Sequence, residues 1–299
     1  MLDYSLLAAL AAVVREGSFE RAARRLHVTP SAVSQRVRLL EERTGQVLVV
    51  RGQPCTATEA GRRLVGHAEA VALLEHGLQR DLPALAEGGG KRTSLRVAVN
   101  ADSLATWFVG AAAAFAGAGG ALLDISVDDQ DHTAQWLKNG DVLAAVCSLE
   151  APVQGCRSLA LGRLRYVSTA SPAFFDRHFA AGVNARTLAD APCLAFNRKD
   201  RLQAQWAAAQ AGREIEMPTH WLPSSQAFVD AALAGLGWGL NPEPLVREHL
   251  AAGRLRELVA GSELPVPLFW QHARLAAPVL QALTDAVLGS ARSVLAAPG

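Results

Sequence analysis

Two sets of side chains in this chain have types and spacings suited to chemistry, and they lie far apart in sequence. The first is Ser31, Gln35 and Arg38, flanked by Ala32 and Arg36, in the run Thr29-Pro30-Ser31-Ala32-Val33-Ser34-Gln35-Arg36-Val37-Arg38-Leu39-Leu40-Glu41. At helical spacing these residues share one side, while Val33, Val37 and Leu40 fall on the opposite stripe at i, i+4 and i+7. Small side chains let such a helix approach a groove closely, where Gln pairs with adenine and Arg with guanine or phosphate. The second set is Asn100, Asp102 and Ser103, followed by Asp128, Asp129 and Asp131. A helix start offers N–H groups to a carboxylate, and clustered Asp side chains suit an ammonium or guanidinium. Residues 97–137 contain five Asp and no Lys or Arg, which favours a cationic ligand. Alone, the first set is an ordinary amphipathic helix and the second a solvated acidic loop. The neighbouring elements argue for function.

Thr29 is suited to an N-cap and Pro30 to a first helical position. Upstream, residues 4–16 predict a helix with Leu6, Leu7, Leu10, Val13 and Val14 on its apolar face, stopped by Gly17-Ser18. Ser18 caps a second helix in which Ala22 and Ala23 are small enough for a close crossing. Two short helices joined by a tight turn make a helix-turn-helix, the second member carrying the polar face. Downstream, Gln46–Arg51 and Cys55–Thr58 flank Gly52-Gln53-Pro54, which predicts a β-wing with Arg51 placed for a phosphate. A long helix opens at Thr58-Glu59 and runs to about Ala86, with Leu64, Ala68, Val71, Leu78, Leu82 and Leu85 at 3–4 spacing. Such a stripe asks for a partner chain. Pro83 ends or bends the helix, and residues 87–91 form a hinge.

From Leu95 onward, strands and helices alternate, which predicts a mostly parallel sheet with right-handed crossovers. Open α/β sheets bind ligands at the carboxyl ends of their strands. There lie Asn100, Asp102 and Ser103 after the first strand, Asp128, Asp129 and Asp131 after the second, and Cys147-Ser148 after the third. Asn197, Ser224 and Ser225 end strands of a second set, and Trp238 is expected to wall the cleft.

The 299 residues carry a net charge of +1, but residues 1–63 hold ten Arg against six acids, a basic head suited to a polyanion. Four scattered cysteines show no metal-ligand or CxxC spacing, which fits a reducing compartment. Cys147 and Cys156 as a redox pair are weaker than buried structural thiols. The apolar run from Leu6 to Val14 lacks a positive leader and is too short to span a bilayer. The chain is expected to be cytoplasmic and not membrane-bound. No Ser/His/Asp order, metal cluster, GxGxxG or P-loop appears, so no catalytic residue, metal or cofactor is expected.

The run GSFERAARRLHVTPSAVSQRVRLLEERTGQVLVVR, followed by TATEAGRRL, resembles the N-terminal domain of LysR-type transcriptional regulators. The likeness extends over the whole layout. Finer details (LHVTPSAVSQR, GQVLVVR, PCTAT, VNADSLATWF, DDQDH, AGLGWG) resemble the ArgP/LysG branch, which answers to lysine and arginine and controls export of basic amino acids. The resemblance implies an α plus α/β fold. Its parts are a winged helix-turn-helix over 1–58, a linker dimerisation helix and hinge over 59–92, and a two-lobed periplasmic-binding-protein-like effector domain over 93–299. Lobe I takes about 93–163 and 268–299, lobe II about 164–267. It implies DNA contacts at Thr29, Pro30, Ser31, Ala32, Gln35, Arg36, Arg38 and Arg51 on a double-stranded operator. It also implies a homodimer assembling to a homotetramer, RNA polymerase as a further partner, and L-lysine or L-arginine as effector. Two alternatives stay open: a LysR-type regulator with another effector, or an effector-independent DNA-binding protein.

Overall fold

The computed structural model describes residues 2–81, 94–118, 121–128 and 133–297. The expected hinge at 87–91, the end of the linker helix with Leu82, Pro83 and Leu85, and the loop residues Asp129, Asp131 and His132 lie outside the described residues.

The N-terminal unit packs α1 (Tyr4–Glu16), α2 (Phe19–Leu26) and α3 (Pro30–Thr44) around Leu7, Leu10, Val13, Ala22, Ala23, Val33, Val37 and Leu40. Gly17, Ser18 and Thr29 bound the helices as expected, and Asp3 and Gly45 add two bounds that were not expected. Asp3, Ser18 and Thr29 accept backbone N–H bonds at the three N-termini, and Gly17 and Gly45 close α1 and α3 in the left-handed conformation. The wing is shorter than expected, with β1 (Val49–Val50) paired antiparallel to β2 (Thr56–Ala57). Glu41 ties it to α3 by accepting the Leu48 N–H at 2.8 Å.

Helix α4 (Glu59–Asp81) leaves the wing with Val65 buried in this core and Leu64 and Ala68 packed against it. Farther along, Leu74 and Leu78 are exposed, as a face awaiting a partner would be. The same helix also packs on the C-terminal region of its own chain, against α7, α13 and the turn before α13.

That region begins with β3 (Ser94–Asn100). Next, α5 (Ala101–Ser103) continues through a π-helical segment (Leu104–Phe108) into α6 (Val109–Gly117). β4 (Leu122–Asp128), α7 (Thr133–Asn139) and β5 (Ala144–Cys147) complete the first lobe's βα alternation. β6 (Cys156–Ala170) leads into the second lobe: α8 (Pro172–His178), α9 (Ala185–Asp190), β7 (Cys193–Ala195), α10 (Leu202–Ala211) and β8 (Thr219–Trp221). α11 (Ser225–Leu233), β9 (Gly239–Pro242), α12 (Glu243–Ala251) and β10 (Arg256–Glu257) follow. β11 (Leu264–Ala273), a 3-10 turn (Arg274–Ala276) and α13 (Ala277–Val294) return to the first lobe, where α13 packs on α6.

The main sheet runs β10-β6-β11-β5-β3-β4, with β9 also on β6. The expectation of a mostly parallel sheet is corrected here. Within this sheet only β3–β4 and β3–β5 are parallel, while β11 pairs antiparallel with β5 and β6, and β6 pairs antiparallel with β9 and β10. The cause is the pair of long strands, β6 of 15 residues and β11 of 10, which carry the chain out of the first lobe and back. A returning strand lies antiparallel to the one it follows.

Gly61 shows how tightly α4 is seated on the wing. A Cβ there would overlap the Leu48 carbonyl, which already accepts the Thr58 N–H at 3.0 Å. Gly61→Ala is expected to cost about 2–3 kcal/mol, read as a lowered thermal midpoint of the full-length chain. An unchanged midpoint contradicts this packing.

Candidate functional site

On α3 the outward stripe is in place. Ser31, Gln35 and Arg38 are exposed, Ala32 and Arg36 are half-buried, and Val33 is fully buried. The Thr29 hydroxyl accepts the Ala32 N–H at 3.2 Å and lies 3.0 Å from the Ser31 hydroxyl, fixing the helix start. Pro30 occupies the first turn. Arg38 meets Glu42 at 3.0 Å, an exposed pair that a phosphate or base can replace at little cost. Beside this helix, a groove between the start of α2 and the wing is lined by Ser18, Arg21, Arg24, Arg51 and Gln53. Arg51 stands 5.2 Å over the Phe19 ring, which holds its guanidinium at the groove. A polar helix face beside a groove bearing three arginines suits base edges and the flanking phosphates.

The second site lies between the lobes. Asp102, just past β3, accepts the Tyr166 hydroxyl and the Ser225 hydroxyl at 2.6 Å each, one with each carboxylate oxygen. Tyr166 comes from β6 and Ser225 from the first turn of α11, so one carboxylate joins the first lobe, the connecting strand and the second lobe. Around it, Phe196, Asp200, Gln203, Phe228, Asn241 and Pro242 line a narrow cleft of about 20 Å³. No Lys or Arg lines it among the described residues. Asp200 is positioned by the Phe196 N–H at 2.9 Å and the Leu202 N–H at 3.0 Å. Burial pushes its carboxyl above the ordinary aspartate range, and the Asp102 charge adds to this.

Two polar atoms lining the cleft, Gln203 Oε1 and Asn241 Oδ1, are buried without a hydrogen-bond partner, as are both amide atoms of Asn100 and the Ser103 hydroxyl, which do not line it but flank Asp102 in the chain. Buried polar groups normally find partners, so a cluster of unpaired ones marks a place for a ligand or ordered water.

Of the residues that the sequence singles out, Asn100, Asp102 and Ser103 follow or end β3, and Ser225 joins them through Asp102. Ser224 caps α11 by accepting the Ala227 N–H at 3.3 Å. Asn197 shapes the turn that presents Asp200, accepting the Lys199 and Asp200 N–H groups. Asp128 sits beside Asn100 in the parallel register and accepts the Trp136 indole N–H at 3.2 Å. Cys147 and Ser148 end β5 in the same row, but none of Asp128, Cys147 and Ser148 lines the cleft. Asp129 and Asp131 lie outside the described residues.

Trp238 requires a correction. Its side chain is fully buried and packs on Trp206 at 5.2 Å, in the core and not along the cleft wall. Its glycine neighbours allow this close packing: a Cβ on Gly237 or Gly239 would collide with Leu194 or Phe228.

Sequence reasoning missed Tyr166, Asp200, Gln203 and Asn241. Only Asp200 had a local signal, the Asn-Arg-Lys-Asp turn after β7. All four cysteines are reduced and buried. Burial pushes Cys147 to about 11 and Cys156 and Cys193 upward, so these thiols stay protonated and poorly reactive.

A winged helix-turn-helix joined by one long helix to a two-lobed binding domain defines a class of bacterial regulator. Two family models match the chain. "Bacterial regulatory helix-turn-helix protein, lysR family" covers residues 4–62, and "LysR substrate binding domain" covers residues 88–292. The chain belongs to the LysR family and is a DNA-binding transcriptional regulator. It is 49% identical over 294 residues to the HTH-type transcriptional regulator LysG of Mycobacterium tuberculosis, spanning 97% of this chain and 94% of that one. The crystal structure of ArgP from Mycobacterium tuberculosis superposes with a TM-score of 0.86 at 46% identity, over all of both chains. Full-length LysG from Corynebacterium glutamicum with bound effector Arg gives a TM-score of 0.73 at 36% identity, over 99% of this chain and 100% of that one. These relatives are regulators, not enzymes.

A carboxyl whose folded pKa is raised stabilises the fold at low pH and loses that contribution as pH rises through the folded value. Relative to Asp200→Asn, the wild-type chain is therefore expected to lose thermal stability as pH rises from about 4 to 7. A pH-independent difference in midpoint between the two proteins contradicts the buried, charge-coupled position of Asp200.

Proposed function

We propose that the cleft between the lobes is the receptor for a basic amino acid, L-arginine or L-lysine, and that its occupancy sets how the α3 pair reads DNA. The observation that carries this reading is the pair of carboxylates, Asp102 and Asp200, in a cleft with no lining Lys or Arg among the described residues. A cationic side chain relieves both the desolvation of Asp200 and its repulsion by Asp102. The unpaired Gln203 and Asn241 oxygens add neutral acceptors suited to a guanidinium or ammonium. At the other end, the Asn100 amide, the Ser103 hydroxyl and the helix start after β3 supply donors for the α-carboxylate. The bound effector Arg of the Corynebacterium relative supports the same ligand class.

In this reading the negative charges of Asp128, Asp129 and Asp131 help draw a cationic ligand in. Because the cleft is narrow, the ligand enters by replacing the Ser225 hydroxyl on Asp102. Lobe closure then differs between free and bound chain, and a ligand that prefers one state shifts the assembly toward it.

On the DNA side, Thr29, Pro30, Ser31, Ala32, Gln35, Arg36, Arg38 and Arg51 meet the operator. The exposed Leu74 and Leu78 of α4 serve a homodimer, from which a homotetramer is built. The division at residues 58/59 and 92/93, a cytoplasmic location and contact with RNA polymerase complete the reading. Genes for basic amino-acid export or metabolism are its targets. Among the described residues, no helix is long and apolar enough to cross a membrane, and no cluster of His, Cys, Asp and Glu is suited to a metal.

Calorimetry on the full-length protein tests the ligand. Saturable binding of L-arginine or L-lysine is expected, weakened about 10- to 100-fold in Asp102→Asn, the scale of one charge-assisted hydrogen bond. Smaller losses are expected in Asp129→Ala and Asp131→Ala. No saturable heat with either amino acid, or full affinity in Asp102→Asn, overturns the assignment. For DNA, Gln35→Ala is expected to weaken binding to a selected operator by about 1–3 kcal/mol while sparing random duplex. Equal losses on both duplexes would remove Gln35 from base readout.

A further inference from the structure

Three parts of the molecule meet at one carboxylate that belongs to neither site. Glu69 lies on the buried side of α4, one turn beyond Val65, and its side chain is 15% exposed. One of its oxygens takes an ion pair from Arg15, in the last turn of α1, at 3.3 Å. The other takes an ion pair from Arg96, on β3. Two guanidinia from opposite sides, one from the DNA-binding unit and one from the first lobe, therefore share a single acid on the helix between them.

The surroundings make this contact a seat. Gly66, on the same side of α4, brings the helix backbone against the Gly140 carbonyl in the turn between α7 and β5. Arg96 points to the same face of β3 as Ala98 and Asn100, because side chains alternate along a strand. The strand's rise places Arg96 about 13 Å from Asn100. One rigid, doubly paired strand thus links the Glu69 carboxylate to the residues that line or border the cleft, Asn100 and Asp102. Because both guanidinia are anchored on the same weakly solvated carboxylate, displacing Glu69 disturbs both contacts at once, and removing its charge leaves the two arginines without a shared anchor.

We propose that Glu69 is the positioning residue that couples the effector lobe to the DNA-binding unit. Movement at the carboxyl end of β3 reaches α1, and through it α3, by way of the Arg96–Glu69–Arg15 contact. The regulatory part rests on the cleft being the receptor for a basic amino acid. The mechanical part, that this contact holds lobe and helix as one body, does not.

Spin labels introduced by Gln53→Cys in the wing and Lys138→Cys on α7 report the mechanical part in the full-length protein without ligand, with labelled subunits diluted into unlabelled ones. The four native cysteines are buried and stay unlabelled. A narrow distance distribution is expected with Glu69 intact. Glu69→Gln and Arg96→Gln should each broaden it to the same extent, and the double variant should broaden it no further. In Glu69→Gln, calorimetric binding of L-arginine should be kept, while the arginine-dependent change in affinity for a duplex selected by the protein itself should fall at least fivefold. An unchanged distribution in both single variants, additive broadening in the double variant, or an undiminished arginine response on DNA overturns the proposal. Absence of arginine binding in the wild-type chain instead overturns the reading of the cleft, and the ligand-free distances still decide whether Glu69 holds lobe and helix together.

Discussion

The carboxylate of Asp102 is the constraint on which the two-lobed half of this molecule depends. Each oxygen is committed to a hydroxyl from a different part of the chain, Tyr166 on the connecting strand and Ser225 at the start of α11. Both of these donors are hydroxyls, which hold the carboxylate in place without bringing a positive charge of their own. A second acid, Asp200, is held nearby by two backbone N–H groups at a position where burial opposes its ionisation. The hydroxyl bonds to Asp102 are already charge-assisted through the carboxylate, and an ammonium or guanidinium in place of one hydroxyl adds the attraction of opposite charges.

The remaining architecture serves to hold that carboxylate and to carry its state elsewhere. β3 is paired on both sides in parallel register and ends at Asn100, so Asp102 reaches the cleft from a rigid base. β6 and β11 pass between the lobes as a paired ribbon, interrupted at the irregularity between Leu268 and Phe269, so the lobes share a sheet while their sites face each other. The DNA-binding unit is built differently. Its helices are fixed by local caps and by alanines at the α1–α2–α3 crossings. Its only described covalent exit is α4, whose contacts with the first lobe give the recognition helix a route to the effector half.

How much of this was legible in the sequence depended on how local the signal was. The helix from Pro30 to Thr44 was marked by Thr29 and Pro30 and by the buried Val33, Val37 and Leu40, all within a few residues of one another. The βα alternation of the first lobe was equally local. The antiparallel course of β6 and β11 was not, because strand direction follows from where the chain returns and not from periodicity. In the cleft, Asp102 was identified by its place after a strand. Its partners Tyr166 and Ser225 lie 64 and 123 residues away, and no spacing announces such a pairing. Trp238 illustrates the opposite error: it was expected to wall the cleft, and close approach at its flanking glycines places it in the core.

The most direct measurement is a structure of the full-length chain grown with L-arginine. The guanidinium should lie against Asp102 and Asp200, with the Ser225 hydroxyl displaced from Asp102 and the α-carboxylate near Asn100 and Ser103. An arginine bound elsewhere, or an empty cleft with the Asp102–Ser225 hydrogen bond intact at saturating ligand, would contradict the account.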